Sequence, residues 1–287
     1  MFHCCNLKKL IRIMVLDIIL IAVAASITVF AKEAEPQAER VFLPIIMYHS
    51  ITENATFYDD YKVSPETIEN DLKYLSNNHY SSVFVEDLIN YVYYDKPLPE
   101  NPVMITLDDG FYNNISNLLP LLEKYDMKAT ISIVGQYTEI LAEKDSHVSS
   151  YSYLTWEDIK NACSSGRIEF GNHTYNMHSN NVRKGCSKLS YETNEEYAEI
   201  LTQDVGLCQN LMQINIGTTP VVFAYPYGYI SEESIPILKD MGFLATLTCF
   251  EKPNYITHDP DCLFGLNRYN RPQNVSTESF MKKILSE

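Results

Sequence analysis

From residue 43 onward the chain alternates short, nearly continuous apolar runs with stretches whose apolar positions recur every three or four residues. The runs are LPIIMY (43–48), SSVFV (81–85), PVMITL (102–107), ATISIV (129–134), RIEFG (167–171), VVFAY (221–225), ATLTC (245–249) and LFGLNR (263–268). Strands that are apolar on both faces suit a parallel sheet covered by helices. Between the runs, Ser64 caps a helix with Pro65 in its first turn, and Ile68, Leu72 and Leu75 share one face. Thr155-Trp156-Glu157-Asp158 reads as a capping box with Gly166 as its stop. Ser231 opens a further helix that carries Ile235 and Leu238 and ends at Gly242. Strand and helix alternating seven or eight times predict an α/β fold: a distorted (β/α) barrel of seven or eight parallel strands, one domain over residues 43–287. An open doubly wound sheet is the alternative, but no GxGxxG or phosphate-binding glycine loop supports it.

The first forty residues break the pattern. Lys8, Lys9 and Arg12 precede the uncharged run IILIAVAASITVF (18–30), and the acid-rich KEAEPQAER (32–40) follows. A basic start, a short apolar stretch and small residues predict a secretory signal over residues 1–31, with a retained membrane anchor as the alternative, then an acidic linker over 32–42. The run is short for a bilayer span, and extending it backwards buries Asp17. Either reading puts the body of the protein in the extracellular space or at the cell surface. A glycan on the sequon Asn172-His173-Thr174 would be poorly placed, which together with the short signal points to a bacterial source.

Charge narrows the partners. Beyond Ala31, 19 basic residues face 36 acidic ones, a net of −17, which repels phosphates and excludes nucleic acid. The balance suits a neutral substrate, one whose product is cationic, or simply a well-solvated surface. After Cys4 and Cys5, the chain keeps Cys163, Cys186, Cys208, Cys249 and Cys262 without a CxxC pair. One or two disulfides are open to an exported protein, and most of these cysteines read as small buried apolar residues.

In such a barrel the reactive groups gather where strands end. LPIIMY leads into His49-Ser50, PVMITL into Asp108-Asp109-Gly110, RIEFG into Asn172-His173 with His178 five residues on, and VVFAY into Pro226-Tyr227-Gly228. Each is bland alone: a single strand-end histidine is more often structural, Asp-Gly is an ordinary turn, and Tyr227 is one of 21 tyrosines. Together they bring two histidines and a carboxylate to one rim, a ligand set for a catalytic divalent cation. A cation also makes two adjacent carboxylates tolerable. One binds it, and the other acts as a base towards water whose pKa the cation lowers from about 15.7 to about 7. Asp59-Asp60 follows no strand and reads as a loop pair, while His79, His147 and His258 read as surface residues.

TLDDG (106–110), HTYNMH (173–178) and YPYG (225–228), in that order, resemble the motifs of polysaccharide deacetylases, the NodB-homology carbohydrate esterases of family 4. The similarity runs from about residue 43 to the end. The MYHS opening (47–50) and the HTxxxH spacing are most similar to the branch that deacetylates poly-N-acetylglucosamine. The resemblance implies metal-dependent hydrolysis of the acetamide of an N-acetylated cell-wall polysaccharide or exopolysaccharide, with release of acetate. It makes Asp108 the general base and gives Asp109, His173 and His178 one divalent metal, zinc first, with cobalt, nickel or manganese suited to the same ligands. Thr174 would shape the metal loop. Pro226 would set Tyr227, whose backbone N–H would meet the oxyanion. His49 would be the general acid, since no late Leu-His motif occurs. Two departures stand out: Leu107 replaces a common Phe, and Phe223-Ala224-Tyr225 lacks the arginine that steadies the base in many members. Arg268 is the candidate replacement.

No protein partner is expected, and membrane contact only through the N-terminal anchor. The rivals are an O-acetyl esterase on an acetylated glycan and a non-catalytic carbohydrate-binding protein on the same barrel. A two-carboxylate glycosidase is disfavoured because adjacent Asp residues cannot straddle a bond at about 5 Å, and no GxSxG elbow supports a serine esterase. Tyr112, Tyr175 and Tyr229 are candidates to stack on sugar rings.

Overall fold

A computed structural model of the chain describes residues 40–53, 59–142, 144 and 147–286, with Met14, Val15 and Ile18 besides. The expected signal or anchor, and most of the linker, lie outside the described residues. Val41–Phe42, within the expected linker, pairs antiparallel with Tyr255–Ile256 and begins the compact unit Val41–Glu287.

The apolar runs form one sheet. In chain order its strands are β1 (Ile45–Tyr48), β2 (Pro102–Leu107), β3 (Ala129–Ile133), β4 (Ile168–Asn172), β5 (Val222–Ala224), β6 (Ala245–Leu247), β7 (Phe264–Leu266) and β8 (Tyr269–Asn270). They lie in the order β7-β6-β5-β4-β3-β2-β1-β8, every neighbour parallel. The strands at the two ends of that order are separated only by Asn267 and Arg268. One stretch of chain therefore pairs with β6 through its first half and with β1 through its second. Three virtual bonds span at most about 10 Å, so the sheet must curl until its edges meet, giving the distorted barrel. Asn254 stitches this seam: its Nδ2 donates to Leu43 O at 3.2 Å and to Asn267 O at 2.8 Å, and its Oδ1 accepts from Asn267 N at 2.8 Å.

Side-chain alternation then divides the core. Val103, Ile105 and Leu107 of β2 pack outward with Ile131 and Ile133 against the helices. Met104 packs inward with Val222, Ala224, Ala245 and Leu247. The helices that cover the sheet include α1 (Pro65–Asn77), α2 (Val85–Tyr94), α3 (Trp156–Cys163), α4 (Asn194–Ile216), α5 (Ser234–Asp240) and α6 (Thr277–Ile284). On α1 the Ser64 side chain accepts from Thr67 N and Ile68, Leu72 and Leu75 are buried; α3 carries the Thr155–Asp158 capping box. A second capping box, Thr193–Glu196, opens α4.

Two expectations need correction. SSVFV is a strand only at Ser81–Ser82, because Val85 already starts α2. The N–H groups of Val85 and Glu86 donate to the Glu169 carboxylate at 3.0 and 3.2 Å, and Phe84 N donates to Asp87 at 2.8 Å, so helix replaces strand there. Likewise α5 begins at Ser234 rather than just after Ser231. The Ser231 hydroxyl accepts from Lys188 N at 2.8 Å instead, and the helix has no side-chain cap. The five cysteines from Cys163 onward are free thiols, with Cys186 and Cys208 buried.

Candidate metal centre

Period-two alternation along β2 sets Met104, Thr106 and Asp108 on the inner face, so Asp108 arrives at the mouth of the barrel pointing in. A regular strand would turn Asp109 outward. Instead Asp109 takes φ 72° and Gly110 φ 74°, and this left-handed pair redirects the second carboxylate. Gly110 has no alternative, since a Cβ there would sit 2.9 Å from Ile133 Cγ2. Two further non-glycine residues of the mouth are left-handed, Thr174 at φ 74° and Tyr227 at φ 57°. Such conformations cost roughly 1–3 kcal/mol each and persist only where the surroundings impose them.

Asp108 is 1% exposed and Arg268 is fully buried. They form a two-pronged pair, Nη1 to Oδ1 at 2.7 Å and Nη2 to Oδ2 at 2.7 Å. Arg268 is itself held by Thr248 O, which accepts from Nε at 2.7 Å. Burial would raise the Asp108 carboxyl, but the Arg268 guanidinium and the His173 and His49 rings outweigh it, and the group lies well below the usual carboxylate range. Asp108 is therefore ionised throughout the neutral range.

His173 projects from the end of β4, and its Nδ1 donates to Ala224 O at 2.7 Å. That bond fixes the tautomer and leaves the Nε2 lone pair facing Asp109. Burial pushes the His173 ring down to about 4, so it is neutral at pH 7 and able to ligate. His178 Nε2 lies 3.1 Å from Asp109 Oδ1, and His173 Nε2 lies 3.8 Å from the same oxygen. Burial lowers the His178 pKa, but Asp109 more than reverses it. The three ligand atoms lie within 4.8 Å of one another. In a tetrahedral zinc site with bonds of about 2.0–2.2 Å, adjacent ligand atoms fall about 3.2–3.6 Å apart. Asp109 Oδ1 is moreover buried without a hydrogen-bond donor. Such an orphaned oxygen aimed between two imidazoles fits a divalent cation.

The loop from His173 to His178 is pinned from behind. Thr174 N donates to Asn172 Oδ1 at 2.8 Å and Thr174 Oγ1 accepts from Met177 N at 3.2 Å. Asp204 on α4 accepts from Tyr175 N and Asn176 N, each at 2.9 Å. Sequence reasoning missed Asp204. The only hint was an acid beside the buried stripe Tyr197, Leu201, Val205 and Cys208.

Asp108, Asp109, His173 and His178 share a cleft of about 660 Å³ with His49, Tyr227, Tyr229, Tyr61 and Phe111. The structure thus brings together every expected site residue of the rim. Arg268 reaches the cluster from inside through Asp108, and Pro226 sits behind Tyr227, its carbonyl oxygen 2.6 Å from where a Cβ on Gly185 would lie. Of the expected sugar-stacking residues only Tyr229 lines the cleft. Tyr175 is turned aside by a hydrogen bond to Glu139 at 3.1 Å, and Tyr112 packs against the core. Asp59 is a loop residue as expected, its carboxylate accepting from Tyr61 N at 2.9 Å, yet its loop walls the same cleft. A second crevice of about 680 Å³, near Ser64 and Asn274, lies apart from these groups, and its Arg271 is already paired with Asp71.

A curled parallel barrel with an Asp-His-His set at the carboxyl ends of its strands defines a class, and residues 95–246, more than half of the chain, match the polysaccharide deacetylase family. The chain belongs to that family, a family of hydrolases. It is 24% identical over 217 residues to the poly-beta-1,6-N-acetyl-D-glucosamine N-deacetylase of Escherichia coli (strain K12), covering 69% of this chain and 32% of that protein. It is 25% identical over 197 residues to the enzyme of the same name from Staphylococcus aureus (strain MRSA252), covering 67% of this chain and 63% of that one. The chain thus spans about a third of the first relative and less than two thirds of the second. Among solved structures, the de-N-acetylase from Aggregatibacter actinomycetemcomitans shares the fold with a TM-score of 0.72 at 20% identity, over 85% of this chain and 100% of that one.

Proposed function

We propose that this chain is a divalent-metal-dependent de-N-acetylase of N-acetylglucosamine-containing polysaccharide, acting outside the cytoplasm and releasing acetate. Asp109, His173 and His178 would hold the cation, whose contribution is to polarise the acetamide carbonyl and acidify water. The rest of the reaction falls to the chain's own groups. Asp108 takes the proton of the attacking water, and Arg268 keeps both carboxylate oxygens oriented for it. The backbone N–H of Tyr227 stabilises the oxyanion, and its left-handed conformation suits a donor aimed off the strand direction. His49 protonates the departing amine, leaving acetate and a glucosamine unit.

The observation that carries this reading is the two-pronged Arg268–Asp108 pair beside the Asp109–His173–His178 cluster. A binding protein needs no buried, clamped carboxylate next to a cation site. The two relatives named for poly-N-acetylglucosamine deacetylation favour that polymer class. Acetate release from N-acetylglucosamine oligomers, with and without chelator, tests the proposal. Release should vanish on chelation, return with zinc, and be lost in Asp108→Asn. Release that resists chelator would overturn the metal assignment. Release only from O-acetylated glycans would make the chain an esterase.

A further inference from the structure

His49 projects into the cleft from the end of β1, yet its ring is weakly held. Its Nδ1 is buried without a hydrogen-bond partner, and among the described residues its aromatic contact is a T-shaped one with Tyr61, centroids 5.0 Å apart. The orientation of the imidazole must therefore come from the backbone that carries it. That backbone is gripped at successive points by the helical turn Asn113–Ser116, which follows Asp108-Asp109. Asn114 Nδ2 donates to His49 O at 2.7 Å. Asn113 Oδ1 accepts from Ile51 N at 2.9 Å while its Nδ2 donates to Ser50 Oγ at 2.9 Å. Asn117 Nδ2 donates to Ile51 O at 2.7 Å.

Asn113 and Asn114 are both fully buried. Burying two carboxamides is costly unless their bonds are made, and Asn114 Oδ1 finds no partner at all. An apolar side chain of similar size would fill the space more cheaply. What it could not do is tie the segment bearing His49 to the segment bearing the two carboxylates.

We infer that Asn114, supported by Asn113, is a positioning residue that registers the His49 imidazole against Asp108 and Asp109. The inference rests on the deacetylase reading, because it treats His49 as the proton donor to the leaving amine. Errors of about 1 Å in placing a reacting group cost about 100-fold in rate. Asn114→Ala should lower kcat by about that factor, with KM and zinc affinity held. Asn114→Asp, which keeps the shape and loses the N–H donor, should do the same.

In a His49→Ala background neither substitution should cost anything further, since the group they position is gone. Multiplying losses in that background, or an unchanged kcat in both single variants, would overturn the inference. A readout independent of turnover completes the test. The His49 ring signals in isotope-labelled protein, assigned by their absence in His49→Ala, should move in Asn114→Asp while those of Tyr227 stay. Unmoved His49 signals would sink the positioning role alone. Absence of acetate release by the wild type would sink the functional reading alone.

Discussion

Arg268 does more at the residue scale than complete a charge pair. A carboxyl whose folded pKa lies below its unfolded value, about 3.9 for Asp, adds stability that is present above that value. The contribution is lost as pH falls through the folded value, so Asp108 is a source of stability across the neutral range. Arg268→Met reverses the sign by leaving the carboxylate buried and unpaired, at a cost of about 3–5 kcal/mol. Denaturant unfolding between pH 5 and 8 should show the variant losing stability as pH rises. The acidic limb of its residual kcat/KM profile should move upward. Arg268→Lys, a point charge without the fork, should recover part of the stability and less of the rate. The placement of His49, Asp108, Asp109, His173 and Tyr227 at the cleft was legible in the sequence because each lies at or just past the end of an apolar run, and that of His178 through its spacing from His173. Arg268 was legible only as a candidate, Asp204 only as an acid beside a buried stripe, and Asn113 and Asn114 not at all. Their roles exist only through contacts between segments distant in the chain.

Among elements, strands and capped helices were readable wherever one local signal dominated, as in PVMITL and in Ser64-Pro65. SSVFV failed because a group far along the chain decided the outcome. Glu169 at the start of β4 caps α2 from 84 residues away, and Thr130 Oγ1 donates to it at 2.9 Å as well. Burial pushes the Glu169 carboxyl up to about 7, against the pull of those three hydrogen bonds. The folded state therefore holds a proton that the unfolded chain releases near 4.3, and stability contributed at Glu169 falls as pH rises from about 4.3 to about 7. Glu169→Gln should flatten that part of the stability curve. Glu169→Ala should cost about 1–3 kcal/mol at pH 6 by leaving the amides of α2 unpaired. Unfolding midpoints for both variants at pH 5, 6 and 7 would decide, and parallel curves for wild type and Glu169→Gln would refute the assignment.

For the whole molecule, the parallel barrel was legible from its apolar runs, but the manner of its closure was not. Nothing in LFGLNR announces that its strand will stop at Leu266 on β6 and that a second one, Tyr269–Asn270, will follow at once on β1. That outcome depends on how far the six twisted strands between them curl. The proposed cation ligands follow β2 and β4, so a bound cation would cross-link the rim. Zinc at about 100 times its Kd should stabilise the fold by about 2.7 kcal/mol. Thermal unfolding with titrated zinc should show the shift in the wild type and its loss in Asp109→Ala. The seam carries a consequence for how activity appears during synthesis. The proposed cation ligands end at residue 178, but the guanidinium that clamps Asp108 sits at residue 268, in the link that closes the barrel. On the deacetylase proposal, the base would be clamped only once that link is in place, so hydrolysis would wait for the closing of the barrel.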